Sequence, residues 1–221
     1  MSGMSQAQDD SARLDAIRER VLVGLESALR DRLFTDLTVA DIVAAAGMSK
    51  RSFYEVFPHK NACLLWHAQR HNDRVIDDIE HRLLSAPDKL AGARLAVEGF
   101  FGPLRDHPGV ARAHLIETYG LGADGLVIRQ SIKARYAEML QRAAMADDGT
   151  EVVELDDISA AGLVGAFNDM AIQAVVDDFV DYEKTLDTAV DFIRAMFVGM
   201  WVEKHWGPID LRRFARTASD A

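Results

Sequence analysis

An all-α fold is what this sequence predicts, and three observations lead there. Apolar residues recur at three- and four-residue intervals along most of the chain and nowhere alternate as a half-buried strand would. Five prolines and fifteen glycines in 221 residues leave long stretches without helix breakers. Turn clusters repeating every 8 to 12 or so residues, as an all-β sandwich requires, are missing. With 49% hydrophobic and 27% charged residues, the chain has the make-up of a globular protein. The expected architecture is an N-terminal three-helix unit followed by a larger helical domain.

Residues 12 to 32 read as a first amphipathic helix, because Leu14, Ile17, Val21, Leu25 and Leu29 share one face; residues 1 to 11 are expected to be disordered. Thr38 and Asp41 have the spacing of a capping box, which starts a short second helix through Val39, Ile42, Val43 and Ala46. Gly47 stands where a helix C-terminus wants a left-handed residue. Ser49 can cap a third helix, ended by Phe57 and Pro58. A fourth helix, with Pro58 as its first residue, runs to about Ser85 and is long enough to bridge two regions. Further helices are expected near 88–104, 110–119, 124–146, 156–179 and 184–206, with a flexible tail at 215–221.

Composition excludes several classes. Cys63 is the one cysteine, so an internal disulfide and a Cys-based zinc finger are out. No uninterrupted apolar run approaches the roughly 18 residues of a membrane span, and residues 1 to 10 lack a signal-peptide pattern; a cytoplasmic protein is expected, with no membrane partner. The net charge of −10 argues against coating nucleic acid by bulk charge. That acidity is uneven: residues 1–66 carry eight basic and nine acidic residues, net −1, and residues 67–221 carry seventeen and twenty-six, net −9.

The two short helices joined at Gly47 form a helix-turn-helix pattern. Its residues Thr38, Ile42, Ala46, Gly47, Met48, Ser49, Phe53, Tyr54, Phe57 and Lys60 closely resemble the N-terminal signature of TetR-family transcriptional regulators. Phe34-Thr35-Asp36-Leu37 replaces that family's usual aromatic-glycine step, and Asn61 to Cys63 replace the acidic residue often found after the lysine. The resemblance implies a helix-turn-helix DNA-binding domain at 1–57 and a helical effector-binding and dimerisation domain at 58–214. It also implies that the regulator is a repressor.

A major groove admits one helix, whose first turn must present donors to bases and phosphates. Ser49, Lys50, Arg51 and Ser52 supply them, Arg51 suiting guanine, while Thr38, Tyr54, His59 and Lys60 are placed for backbone contacts. Double-stranded DNA carrying a palindromic operator is the expected partner. The competing reading is a helical binding or scaffold module whose degenerate helix-turn-helix has no DNA role.

The helices at 156–179 and 184–206 are apolar or small on nearly every side, which two opposite faces must cover. Ala161, Gly162, Gly165 and Ala166 would form a flat strip, and Leu186, Val190, Ile193, Phe197 and Trp201 a second stripe, in a homodimer. Phe100, Phe101, Leu104, His114, Tyr119, Met139, Phe167, Asn168 and Met170 could line a cavity for a small lipophilic effector.

An enzyme is not expected, nor a cofactor. Gly120 to Gly125 resembles a dinucleotide loop but follows a helix, and no nucleophile-base order stands out. His67 and His71 lie one helical turn apart without a third ligand, so no metal site is expected.

Overall fold

The computed structural model describes residues 2–145 and 154–207. These form α1 (Ser2–Ala28), α2 (Val39–Ala45), α3 (Lys50–Tyr54), α4 (Lys60–Ser85), α5 (Lys89–Asp106), α6 (Pro108–Leu115), α7 (Gly122–Met145), α8 (Asp157–Val176) and α9 (Tyr182–Trp206). Two 3₁₀ turns, Phe34–Asp36 and Glu117–Leu121, complete an all-α fold with no strand among the described residues. The tail at 215–221 lies outside them.

Local chemistry sets the ends. Thr38 and Asp41 form the reciprocal capping box, Ser49 accepts the Ser52 amide, Asp88 the Ala91 amide, and Asp156 those of Ile158 and Ser159. Gly47 has φ +61°, the left-handed conformation that lets the chain turn from α2 towards α3.

Several boundaries differ from the sequence expectation. α1 begins at Ser2 rather than residue 12: Gln6, Ala7 and Gln8 favour helix, and no proline stands between Ser2 and residue 12. α4 starts at Lys60, not Pro58, because the His59 Nδ1 caps it by accepting the Ala62 amide. α8 stops at Val176, and the chain turns through Asp178 and Phe179 at φ 51° and 53°. α8 is also long and apolar enough to cross a membrane by length and composition, which a count of uninterrupted apolar runs does not detect. Its buried residues, including Leu163, Ala171 and Val175, pack into the protein's own core.

Three of the four cores among the described residues are linked by two helices. Leu25 of α1, Leu29 just beyond it, Phe34, Ile42 and Phe53 pack with Cys63 and Leu64 of α4 and with Val110 and Ala113 of α6. α4 then carries Val75, Ile76 and Ile79 into a second core with Tyr136 and Met139 of α7. A third joins Phe101, Ala111, Ala171, Val175 and Leu186 from α5, α6, α8 and α9. At about 1.5 Å per residue, the 26 residues of α4 span roughly 39 Å and serve both ends of the molecule. α6 serves both as well. Its Gly109 lies so close to α1 that a Cβ there would sit 1.9 Å from the Leu29 carbonyl oxygen.

A buried polar chain runs alongside. Glu26 of α1 accepts from the His67 Nε2 at 2.8 Å, and the His67 Nδ1 lies 2.8 Å from the His114 Nε2. In the tautomer that donates to Glu26, the His67 Nδ1 accepts the His114 N–H, so one proton chain links α1, α4 and α6. His71 packs edge-on against the His114 ring. The hydrogen bond from His67 holds the Glu26 carboxyl below its ordinary range against the opposing effect of burial. Burial, with the nearby His67, draws His71 down to about 4 and His114 well below its ordinary value.

The sign of the resulting pH dependence follows. Near pH 4 to 6.5 the unfolded chain protonates His71 and His114 while the folded chain keeps them neutral. Their contribution to stability is therefore complete above about 6.5 and is lost as pH falls towards 4, with Glu26 adding to the loss below its ordinary value of 4.5. Thermal melting followed by circular dichroism is expected to show a midpoint that drops through this window. His114→Asn, which removes one titrating ring, should flatten the drop; an unchanged slope would contradict the assignment.

Candidate nucleic-acid interface and cavity

The first turn of α3 leaves the body of the protein. Ser49 caps it, with its hydroxyl accepting the Ser52 amide at 3.1 Å and lying 3.1 Å from the Ser52 hydroxyl. Lys50 is exposed and makes no hydrogen bond or ion pair among the described residues. The Arg51 side chain is 93% exposed, with a long 3.9 Å approach to Glu55 as its one ion pair. Phe53, two residues on, is fully buried and anchors the helix, while Tyr54 is exposed with its ring edge-on to Phe53. Sequence spacing thus places two exposed cations, two hydroxyls and a phenol on one short helix, a donor set for base edges and phosphates.

Three other expected contact residues are engaged within the protein. Both the amide and the hydroxyl of Thr38 donate to the Asp41 carboxylate, at 2.7 and 2.6 Å. Those bonds and Arg32 hold the Asp41 carboxyl down at about 2. The His59 Nδ1 is taken by the Ala62 amide. The Lys60 ammonium donates to the carbonyls of Phe34, Thr35 and Leu37 at 3.0, 3.0 and 2.6 Å and lies over the Phe34 ring. An ammonium has three protons, so none is left for phosphate. Lys60 instead fastens the 3₁₀ turn before α2 to the start of α4, a long-range role that its position in the motif does not reveal.

The second feature is a cavity of about 100 Å³, open on one side and lined by residues of α4 to α9. Phe100, His114, Met139, Phe167 and Asn168 line it, as expected from the sequence. Phe101, Leu104 and Met170 belong to the adjoining core instead, and Tyr119 is largely exposed, its hydroxyl accepting from Arg129. Asn168 makes no hydrogen bond among the described residues. Sequence reasoning missed Asn72, Tyr136, Arg129 and Lys133 in the lining. The signal was available in the α7 periodicity, where Arg129, Lys133 and Tyr136 fall on one helical face.

α6 stands between the two features. His114 and Leu115 face the cavity, Val110 and Ala113 belong to the N-terminal core, and Glu117, just beyond, accepts the amides of Phe34 and Thr35.

A helix-turn-helix joined through shared helices to a cavity-bearing helical domain is the architecture that the described residues form. Residues 29–65 match the model of the bacterial regulatory proteins of the tetR family. The chain is 24% identical over 196 residues to the HTH-type transcriptional regulator EthR of Mycolicibacterium smegmatis, covering 86% of each chain. Its fold is similar to that of the fatty acid degradation regulator FadR from Bacillus halodurans, with a TM-score of 0.67 at 18% identity, covering 82% of this chain and 97% of that one. FadR from Bacillus subtilis in complex with stearoyl-CoA is similar at a TM-score of 0.63 and 14% identity, covering 78% and 95%. The helix-turn-helix segment and the helical arrangement of the chain are thus similar to those of TetR-family transcriptional regulators.

The two cations Arg51 and Lys60 should therefore behave differently. Arg51→Ala is expected to leave the melting temperature unchanged while costing about 1 to 3 kcal/mol at a selected operator and relaxing one position per half-site. Lys60→Ala is expected to destabilise the fold by about 1.5 to 3 kcal/mol through the three carbonyls it abandons, and to leave the salt slope of binding unaltered. Melting curves and salt-dependent binding to specific and scrambled DNA separate the two roles; a normal melt for Lys60→Ala with a reduced salt slope would reverse the assignment.

Proposed function

We propose that the chain is a homodimeric repressor, with residues 1–57 binding a palindromic operator and residues 58–214 binding a small lipophilic effector that releases it. The observation that carries this reading is the double role of α6, whose one side lines the cavity while the other completes the core of the DNA-binding unit. A ligand seated against His114 and Leu115 acts on the helix that holds Leu29, Phe34 and Thr35 in place. Ser49, Lys50, Arg51, Ser52 and Tyr54 make the DNA contacts, and the free His59 Nε2 can add a phosphate contact beside them. Repression is the sign that the family resemblance implies. The neighbouring FadR bound to stearoyl-CoA supports a lipophilic chain as the ligand class.

The second copy covers the outer faces of α8 and α9. Ile158 is 85% exposed, and Val198, Trp201 and Trp206 stand outward along the end of α9. Leu186 and Val190, expected in the same stripe, are buried in the subunit's own core, so the α9 part of the interface begins near Phe192. Gly162 and Gly165 meet nothing within 4 Å of an added Cβ, which leaves a flat strip open to a close neighbour. A C2 interface using both helices presents two recognition helices to successive half-sites, about 34 to 36 Å apart.

Two experiments test this. Sedimentation is expected to give a particle of twice the 24.4 kDa chain mass, and Gly162→Arg to give a folded monomer with weakened operator binding; a wild-type monomer that still binds DNA tightly would refute the dimer. Titrating a lipophilic binder found by thermal-shift screening into the protein-DNA complex should release the DNA. Moving a two-state equilibrium from 99:1 to 1:99 requires about 5.5 kcal/mol of differential affinity. DNA affinity unchanged at saturation, or ligand binding unaffected by Phe167→Ala and Asn168→Ala, would refute the effector role.

A further inference from the structure

The charge within the cavity is opposite to that of the protein. The chain carries ten more acidic than basic residues, yet the cavity lining contains Arg129 and Lys133 and no carboxylate. Both cations lie on α7, one helical turn apart and on the same face. Arg129 is only 8% exposed. Its Nη1 donates to the His114 and Leu115 carbonyls and the Thr118 hydroxyl, at 3.2, 3.0 and 3.2 Å, and its Nη2 donates to the Tyr119 hydroxyl. Of five guanidinium N–H donors, the Nε proton and one on Nη2 therefore have no acceptor among the described residues. No acid among the described residues neutralises the group, and burial draws its pKa below the ordinary value. Lys133, half-buried, also makes no ion pair among the described residues.

A buried guanidinium without a carboxylate is costly unless a ligand supplies the anion. Two N–H donors are thus left for an anion such as a carboxylate, with Lys133 as a second cation in the same lining. The rest of the wall is suited to an aliphatic chain: Ile79, Phe100, Met139, Leu140, Val164 and Phe167. We propose that the effector is an aliphatic chain ending in a free carboxylate, held by Arg129 and Lys133, with its tail along the apolar wall between α4, α7 and α8. The burial of Arg129 selects a compact anion over a bulky anionic head group. The carboxylate would also tighten a guanidinium that already holds the end of α6, which places the charged end of the ligand on the helix contacting the DNA-binding unit. The proposal rests on the effector-cavity reading above and adds the head group.

The test holds the chain constant and changes its end. Binding of decanoate, dodecanoate and hexadecanoate, their methyl esters and their coenzyme A thioesters to the full-length protein is measured by calorimetry. The carboxylate of the best chain length is expected to bind at least about tenfold more tightly than its ester or thioester. Lys133→Met, which removes a side chain without partners, should erase most of that preference while leaving ester binding in place. Arg129→Lys, which keeps the charge but loses the fork, should weaken the acid more than the ester. Equal binding of acid and ester, tighter binding of the thioester, or a preference that survives Lys133→Met would overturn the carboxylate assignment while leaving a lipophilic cavity intact. Binding of none of the three classes would overturn the cavity reading itself.

Discussion

The contact between Gly109 and the Leu29 carbonyl determines how closely the two ends of this protein pack together. A Cβ at residue 109 would stand 1.9 Å from that oxygen, so α6 can approach the end of α1 only with glycine at this position. The close approach lets Val110 and Ala113 enter the N-terminal core and brings Glu117 within reach of the Phe34 and Thr35 amides. α6 is consequently packed as part of the DNA-binding unit although it is connected in sequence to the cavity domain. Close-packed interiors transmit displacement rather than absorb it, which makes such a shared element a physical route for coupling.

Buried polarity reinforces the same junction. Glu26, His67 and His114 join α1, α4 and α6 through two hydrogen bonds of 2.8 Å, and Arg129 joins the end of α6 to α7. Apolar packing alone would tolerate some sliding of these helices. Directional bonds in a low-dielectric setting fix their register, because breaking one leaves a buried group unsatisfied. The junction is thus specified by a few polar residues, whereas the cores on either side are held mainly by Leu, Ile, Val and Phe.

How much was legible in the sequence follows the range of each interaction. The Thr38–Asp41 capping box, the Ser49 cap and the left-handed Gly47 act within a few residues, and the spacing alone located the turn between α2 and α3. Long-range partners were not legible. Lys60 has the composition of a phosphate contact, but its partners lie 23 to 26 residues earlier, on a 3₁₀ turn the sequence did not announce. Tyr119 and Met170 are aromatic and sulfur-bearing residues on plausible faces, and only the packing of α7 and α9 decides that one faces outward and the other joins a core. Arg129 was passed over because a cation in an apolar cavity contradicts the usual rule of burial, a conflict characteristic of functional positions.

Cys63 is buried in the N-terminal core beside Leu64, and burial pushes its thiol up to about 12. At neutral pH it remains protonated and shielded, so it offers little thiolate to an alkylating or oxidising reagent. Because the chain has no other cysteine, a thiol introduced on the exposed turn of α3 becomes a unique attachment point without removal of the native residue. A spin label or fluorophore placed there on each subunit reports directly, as a distance, how far apart two recognition helices stand with the cavity filled or empty.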